Sequence, residues 1–182
     1  EARRRAMFEA VDLHAMNDLV DQGASFRETI AATADQYPEF KDDILMWYFD
    51  WIKMAAPAIP GSVALLRALR AKGIPVFALT NFGIESFEFA ETKYPFLMDF
   101  DRRYVSGRMG CVKPHSLIYE MVEAECHIAP KALLFTDDRP ENLDMAASRG
   151  WQTHLFEGPR GWADRLGAEG LLTAKDLRAV GF

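Results

Sequence analysis

The segment Lys131–Asn142, KALLFTDDRPEN, carries an apolar run that ends in two adjacent carboxylates, Asp137 and Asp138. Ala132, Leu133, Leu134 and Phe135 read as a short buried strand, which puts the acids at its carboxyl end. Open parallel α/β sheets bind ligands in the crevice outside that edge. Two neighbouring Asp side chains repel each other, and such a pair is usually hydrated, salt-bridged or metal-bound. A hard cation such as Mg²⁺, which takes a few carboxylate oxygens and keeps some waters, would neutralise it. The same residues also suit a polar turn opening a helix.

Two further segments repeat the pattern of a strand followed by polar residues. Ile74–Leu79 is apolar and ends in Thr80-Asn81, and Tyr104-Val105-Ser106 leads through Gly107 and Gly110 to Cys111-Val112-Lys113-Pro114. A Thr hydroxyl, an Asn amide and the backbone N–H groups after a strand can hold phosphate oxygens. A Lys ammonium can neutralise the same anion as a point charge. Taken singly, Thr-Asn is a common helix cap and a lone Lys is usually a solvated surface residue. Those readings leave the order unexplained: hydroxyl and amide, then lysine, then diacid, each at a strand-to-helix junction.

ALTN (Ala78–Asn81), VKP (Val112–Pro114) and LFTDDRPEN (Leu134–Asn142) resemble motifs two, three and four of the haloacid dehalogenase superfamily of hydrolases. The likeness extends over nearly the whole chain, including PGSVALLRALRAKG (Pro60–Gly73). It implies a doubly wound parallel α/β sheet, a Rossmann-like core, with a small all-helical cap inserted between motifs one and two. It also implies that Thr80 and Asn81 bind substrate phosphate, that Lys113 stabilises it, and that Asp137 and Asp138 hold Mg²⁺. Arg139 and Asn142 would orient the acids. The activity implied is a Mg²⁺-dependent phosphatase acting on a small phosphorylated metabolite through an aspartyl-phosphate. Within the same fold, the alternative is 2-haloacid dehalogenation, which needs no metal. A non-catalytic binding module is the alternative of a different class.

The family's first motif, Asp-x-Asp after a hydrophobic strand, supplies the nucleophile and precedes the other three. Before Thr80 there is no such motif, and Asp99-Phe100-Asp101 lies between motifs two and three, in the context of a loop or strand entry. The simplest expectation is that the first strand, with its nucleophile, lies upstream of Glu1 and in the middle of the sheet. Replacing Lys113 is expected to slow turnover and to change folding little.

Composition bounds the rest. The 182 residues are 49% hydrophobic with a net charge of −6, which suits a globular domain and argues against nucleic acid as a partner. No apolar run approaches the ~20 residues that span a bilayer. With no signal peptide visible, a cytoplasmic monomer or homodimer binding a small anionic phosphate ester is expected. Cys111 and Cys126 are too few for a disulfide framework, and His14, His115, His127 and His154 lack zinc-ligand spacing. No Walker loop, Gly-x-Gly-x-x-Gly or Gly-x-Ser-x-Gly is present.

The chain changes character near Pro57–Pro60. Residues 1–57 read as the helical cap: helix-like spacing over Arg3–Val20, a capping box at Ser25–Glu28 opening a helix that Pro38 interrupts, and an aromatic-rich helix over Ile44–Met54. Trp47 and Trp51 are four apart, as a stripe packed into the cap core would place them. Residues 58–182 read as the α/β core. Helices are expected over Ser62–Ala71, Ile84–Lys93, Pro114–Ala124, Pro140–Ser148, Trp162–Leu166 and Lys175–Val180. They alternate with strands at Ile74–Leu79, Tyr104–Ser106, Ala132–Phe135 and Gln152–Phe156, indicating a parallel sheet with helices on both faces.

Overall fold

The computed structural model describes residues 1–182. In chain order it runs α1 (Ala2–Ala10), α2 (Leu13–Asp21), α3 (Phe26–Gln36), α4 (Lys41–Asp50), α5 (Pro60–Ala71), β1 (Phe77–Thr80), α6 (Ile84–Lys93), β2 (Arg102–Val105) and α7 (Ser106–Met109). Then follow α8 (Ser116–Cys126), β3 (Leu134–Asp137), α9 (Pro140–Ser148), β4 (Gln152–Leu155), α10 (Pro159–Ala168) and α11 (Ala174–Ala179). Packing divides these into two compact units. One contains Glu1–Pro57, Leu79–Tyr94 and Val105–Val112; the other contains Ala58–Ala78, Pro95–Tyr104 and Lys113–Phe182.

In the first unit the expected helix over Arg3–Val20 is two helices. Val11 is extended, with φ −109° and ψ 121°, and the Asp12 carboxylate accepts a hydrogen bond from Ala15 N–H, capping α2. Ser25 caps α3 through Glu28 N–H at 3.3 Å, and the helix stops at Gln36, before Pro38, as the proline dictates. The aromatic helix ends at Asp50, and Trp51–Lys53 form a 3₁₀ turn. Met7, Val11, Leu13, Met16, Val20, Phe26, Ile30, Ala34 and Ile44 make the core, with Trp47, Tyr48 and Trp51 packed on it. Phe26 meets both Tyr48 and Trp51 edgewise or tilted, at ring separations of 5.2 and 6.3 Å. Phe49, at 72% exposed, is not part of that stripe.

In the second unit β3 and β4 pair in parallel, Leu134 opposite Gln152 through Asp137 opposite Leu155. Alternation along β3 sends neighbours to opposite faces. Leu134 packs on the cluster of Leu65, Leu69, Ala163, Leu166 and Leu172 from α5, α10 and the segment beyond it, whereas Phe135 meets Tyr119 of α8 and Trp151. Helices therefore cover both faces, the doubly wound arrangement. β1 bonds only to β2, and β3 only to β4, so the strands of residues 1–182 form two two-stranded pieces instead of one fully paired sheet.

Element boundaries move where polar side chains intervene. β1 starts at Phe77 and not Ile74; Val76 N–H is taken by the Asp101 carboxylate at 2.8 Å. That carboxylate also pairs with Arg70 at 2.9 Å, and Asp99 pairs with Arg67 at 2.7 Å. The lone Asp-x-Asp thus braces α5 within the second unit. Ser106, expected to end a strand, opens α7, and α8 begins at Ser116, two residues past Pro114.

Asp21, at the end of α2, is pushed up to about 6, by burial first and by the Asp18 carboxylate second, against a hydrogen bond from Asn17. A carboxyl raised above its unfolded value of about 3.9 stabilises the fold below that pH, and the contribution is lost as pH rises through the folded value. Asp21→Asn should therefore gain thermal stability relative to wild type between pH 4 and pH 7. Melting-temperature differences that are equal at the two pH values would refute this.

Candidate active site

Thr80, Asn81, Lys113, Asp137, Asp138 and Arg139 lie at the carboxyl end of a strand or in the turn leading to a helix, and Asn142 lies in the first turn of α9. Asp137 is the last residue of β3, and α9 starts at Pro140, the position that tolerates a missing N–H. Thr80 ends β1, and Gly83 is the N-cap of α6. Lys113 lies in the turn before α8.

Lys113, Asp137, Arg139 and Asn142 come together within the second unit. Lys113 Nζ lies 2.5 Å from Asp137 Oδ2, with only 9% and 6% of the two side chains exposed. Asp137 Oδ1 accepts from Arg139 N–H and from the Asn142 amide, both at 2.9 Å. Arg139 contributes its backbone, while its guanidinium turns to Glu141 at 2.7 Å. Burial alone would raise Asp137; the Lys113 ammonium, the Asn142 amide and the Arg139 N–H outweigh it and hold the carboxyl below its usual value.

Two supports carried no sequence signal. The Lys113 ammonium sits over the Phe135 ring, 5.5 Å from its centre. Tyr119, fully buried, donates from its hydroxyl to the Asn142 carbonyl at 2.9 Å. Tyr119, Phe135 and Trp151 pack mutually edgewise at 5.4 to 6.2 Å. Trp151 is held in turn by Glu123, which accepts from its indole at 2.8 Å and from Arg149 at 2.7 Å.

Thr80 and Asn81 belong to the first unit, where the half-buried Thr80 hydroxyl makes a long 3.5 Å contact to the Asn81 carbonyl. Phe82, the next residue, packs on Trp51 at 5.6 Å. Cys111 is a buried free thiol, and burial pushes it up, the opposite of an activated nucleophile.

The donor set suits Mg²⁺ and not a closed protein cage. Asp137 spends three of its lone pairs on Lys113, Arg139 and Asn142. Asp138 is exposed, and neither a hydrogen bond nor an ion pair occupies its carboxylate. No three His, Cys, Asp or Glu side chains cluster as a metal site. Mg²⁺ asks for less, since it binds through one or two carboxylates and retains several waters.

A sequence model of haloacid dehalogenase-like hydrolases matches residues 4–150. The chain belongs to that family. A D-ribitol-5-phosphate phosphatase of Bacteroides thetaiotaomicron is 28% identical over 79 residues, 43% of this chain and 38% of that protein. A HAD family enzyme of the same organism, solved with magnesium and inorganic phosphate, is 27% identical, with a TM-score of 0.50 over 53% of this chain and 52% of that one. The match therefore spans about half or less of these relatives' length. A predicted HAD-like hydrolase from Porphyromonas gingivalis shares the fold at a TM-score of 0.63, over 94% of this chain and 89% of its own, with 20% identity.

The buried pair changes what replacing Lys113 must do. Sequence reasoning expected folding to be indifferent, but Lys113→Met leaves a buried carboxylate without its cation, and removal of one partner from such a pair costs about 3 kcal/mol or more. Lys113→Met should thus lower stability in urea melts, and Lys113→Met/Asp137→Asn should recover part of the loss. In wild type, the depressed Asp137 stabilises the fold above about pH 4, and the effect fades as pH falls through its lower folded value. Equal stability of Lys113→Met and wild type at neutral pH would contradict the pairing.

Proposed function

We propose that the complete protein is a Mg²⁺-dependent phosphoric monoester hydrolase acting on a small phosphorylated metabolite. The observation that carries the reading is the buried Lys113–Asp137 pair beside the open carboxylate of Asp138, at the ligand-binding edge of β3. The magnesium- and phosphate-bound Bacteroides enzyme, 27% identical, supports it.

In this reading Lys113 stabilises charge on the transferring phosphoryl group, and the Thr80 hydroxyl and Asn81 amide hold its oxygens. Asp137 and Asp138 would hold Mg²⁺, which supplies further positive charge against those oxygens. Phe135 and the Tyr119–Asn142 contact keep Lys113 and Asp137 in place. The attacking carboxylate displaces the leaving alcohol from phosphorus to form an aspartyl-phosphate, which water then cleaves to inorganic phosphate. A second acid protonates the leaving oxygen and later takes a proton from that water. Asp99 and Asp101, tied to Arg67 and Arg70, are not those acids. The proposal assigns them to a strand outside residues 1–182 that pairs with the open edge of β3. Residues 1–57 would act as the helical cap that excludes water and selects the leaving group.

Hydrolysis of p-nitrophenyl phosphate by the natural full-length protein tests this. Turnover should require Mg²⁺, and Asp138→Asn should lose metal affinity and activity together. Lys113→Met, assayed where it remains folded, should slow turnover by about a hundredfold, as loss of one preorganised electrostatic contact does elsewhere. Undiminished turnover in excess chelator would reject the reading, and halide release from 2-chloropropionate under those conditions would replace it with dehalogenation.

A further inference from the structure

Within the first unit, the backbone just beyond Asn81 is held by one buried side chain. The hydroxyl of Ser106, which is fully buried, donates to the Asp21 carbonyl at 2.6 Å and accepts from Phe82 N–H at 2.8 Å. Gly107 N–H donates to the Phe82 carbonyl at 3.1 Å. Both main-chain polar groups of Phe82 are thus engaged by Ser106 and Gly107. A serine at the start of a helix ordinarily bonds within its own first turn. Ser106 instead joins two segments that are remote in sequence, the carboxyl end of α2 and the turn after β1.

The packing leaves no slack at this junction. A Cβ on Gly23, which has φ +106°, would lie 2.6 Å from the Gly107 carbonyl oxygen. One on Gly107 would lie 2.9 Å from the Phe82 carbonyl oxygen, and one on Gly83 would lie 2.4 Å from a Val20 methyl. Three glycines therefore let the α2–α3 turn, residues 82–84 and the start of α7 touch backbone to backbone. Ser106 joins two of them by hydrogen bonds.

We infer that Ser106 is a positioning residue for the Thr80–Asn81 turn, fastening the backbone that follows it to the carboxyl end of α2. The inference rests on the assignment of Thr80 and Asn81 to the substrate phosphate. Deleting the hydroxyl leaves the Phe82 N–H and the Asp21 carbonyl without this partner in part-buried surroundings, so the turn relaxes to satisfy them elsewhere. Phosphate oxygens are then met by a turn that is no longer held in one geometry.

Two measurements test it. In the 182-residue chain, Ser106→Ala should speed hydrogen exchange of the Phe82 amide about tenfold or more, with the Ile30 amide in the core of the helices unchanged. In the natural full-length protein, at a temperature where all variants are folded, Ser106→Ala should raise the inhibition constant of inorganic phosphate and the KM for p-nitrophenyl phosphate about tenfold. Thr33→Ala removes a hydroxyl that bonds the Thr29 carbonyl in α3, and it should leave both constants unchanged. Ser106→Cys, which keeps the volume and weakens both bonds, should fall between and serves if the alanine variant does not fold. Unchanged Phe82 exchange overturns the fastening; faster exchange with unchanged phosphate constants overturns the positioning role. A wild-type protein that neither hydrolyses the ester nor binds inorganic phosphate overturns the phosphatase reading, and the positioning role with it.

Discussion

A carboxylate that is buried and yet must stay ionised organises the second unit. Asp137 is 9% exposed, and without compensation it would take up a proton instead of carrying charge into the interior. Its compensation comes from three directions: the Lys113 ammonium, the Asn142 amide and the Arg139 N–H at the start of α9. One comes from the turn before α8 and two from the start of α9, so those segments and the end of β3 are fixed relative to one another. Asp138, next in sequence, needs none of this and faces solvent. The adjacent acids thus divide into one that is held and one that is open.

Behind that pair stands an aromatic layer. Phe135 leaves β3 on the face opposite Leu134 and presents its ring to Lys113. Tyr119 and Trp151 hold the ring edgewise, and Tyr119 reaches past it to the Asn142 carbonyl. Packing and electrostatics are coupled there: side chains that fill the core also limit where the ammonium and the amide can be. The Glu123–Arg149 pair does the same one layer further out, through the Trp151 indole.

The first unit solves a different problem. Its helices bury ordinary apolar residues, but the turns between them meet segments from much later in the chain. Residues 79–94 and 105–112 group with the helices of 1–57, and the backbone contacts among Gly23, Gly83 and Gly107 explain how they can. The proposed phosphate-binding turn is consequently built on a helical unit, whereas the charged pair is built on the β3–β4 unit.

Much of the architecture was legible from local signals. Helix α6 begins and ends where the sequence placed it, and so does α9, because Gly83, Pro140, Pro95 and Gly150 act within a residue or two of the boundary. Motifs two and four fall at strand-to-helix junctions, as an apolar run followed by polar residues suggests, whereas motif three lies in the turn between α7 and α8, because Ser106 opens a short helix directly after β2. Arg3–Val20 broke into two helices because the Asp12 cap outweighed a periodicity that ran on past it. What the sequence could not show is pairing across distance. Lys113 and Asp137 are 24 residues apart, Ser106 and Asp21 are 85 apart, and nothing within a few residues of either marks them as partners. Residue type and local spacing specify which groups can ionise, donate or cap. Only the tertiary packing decides which of them are buried together, and burial is what turns a common lysine and a common aspartate into a coupled pair.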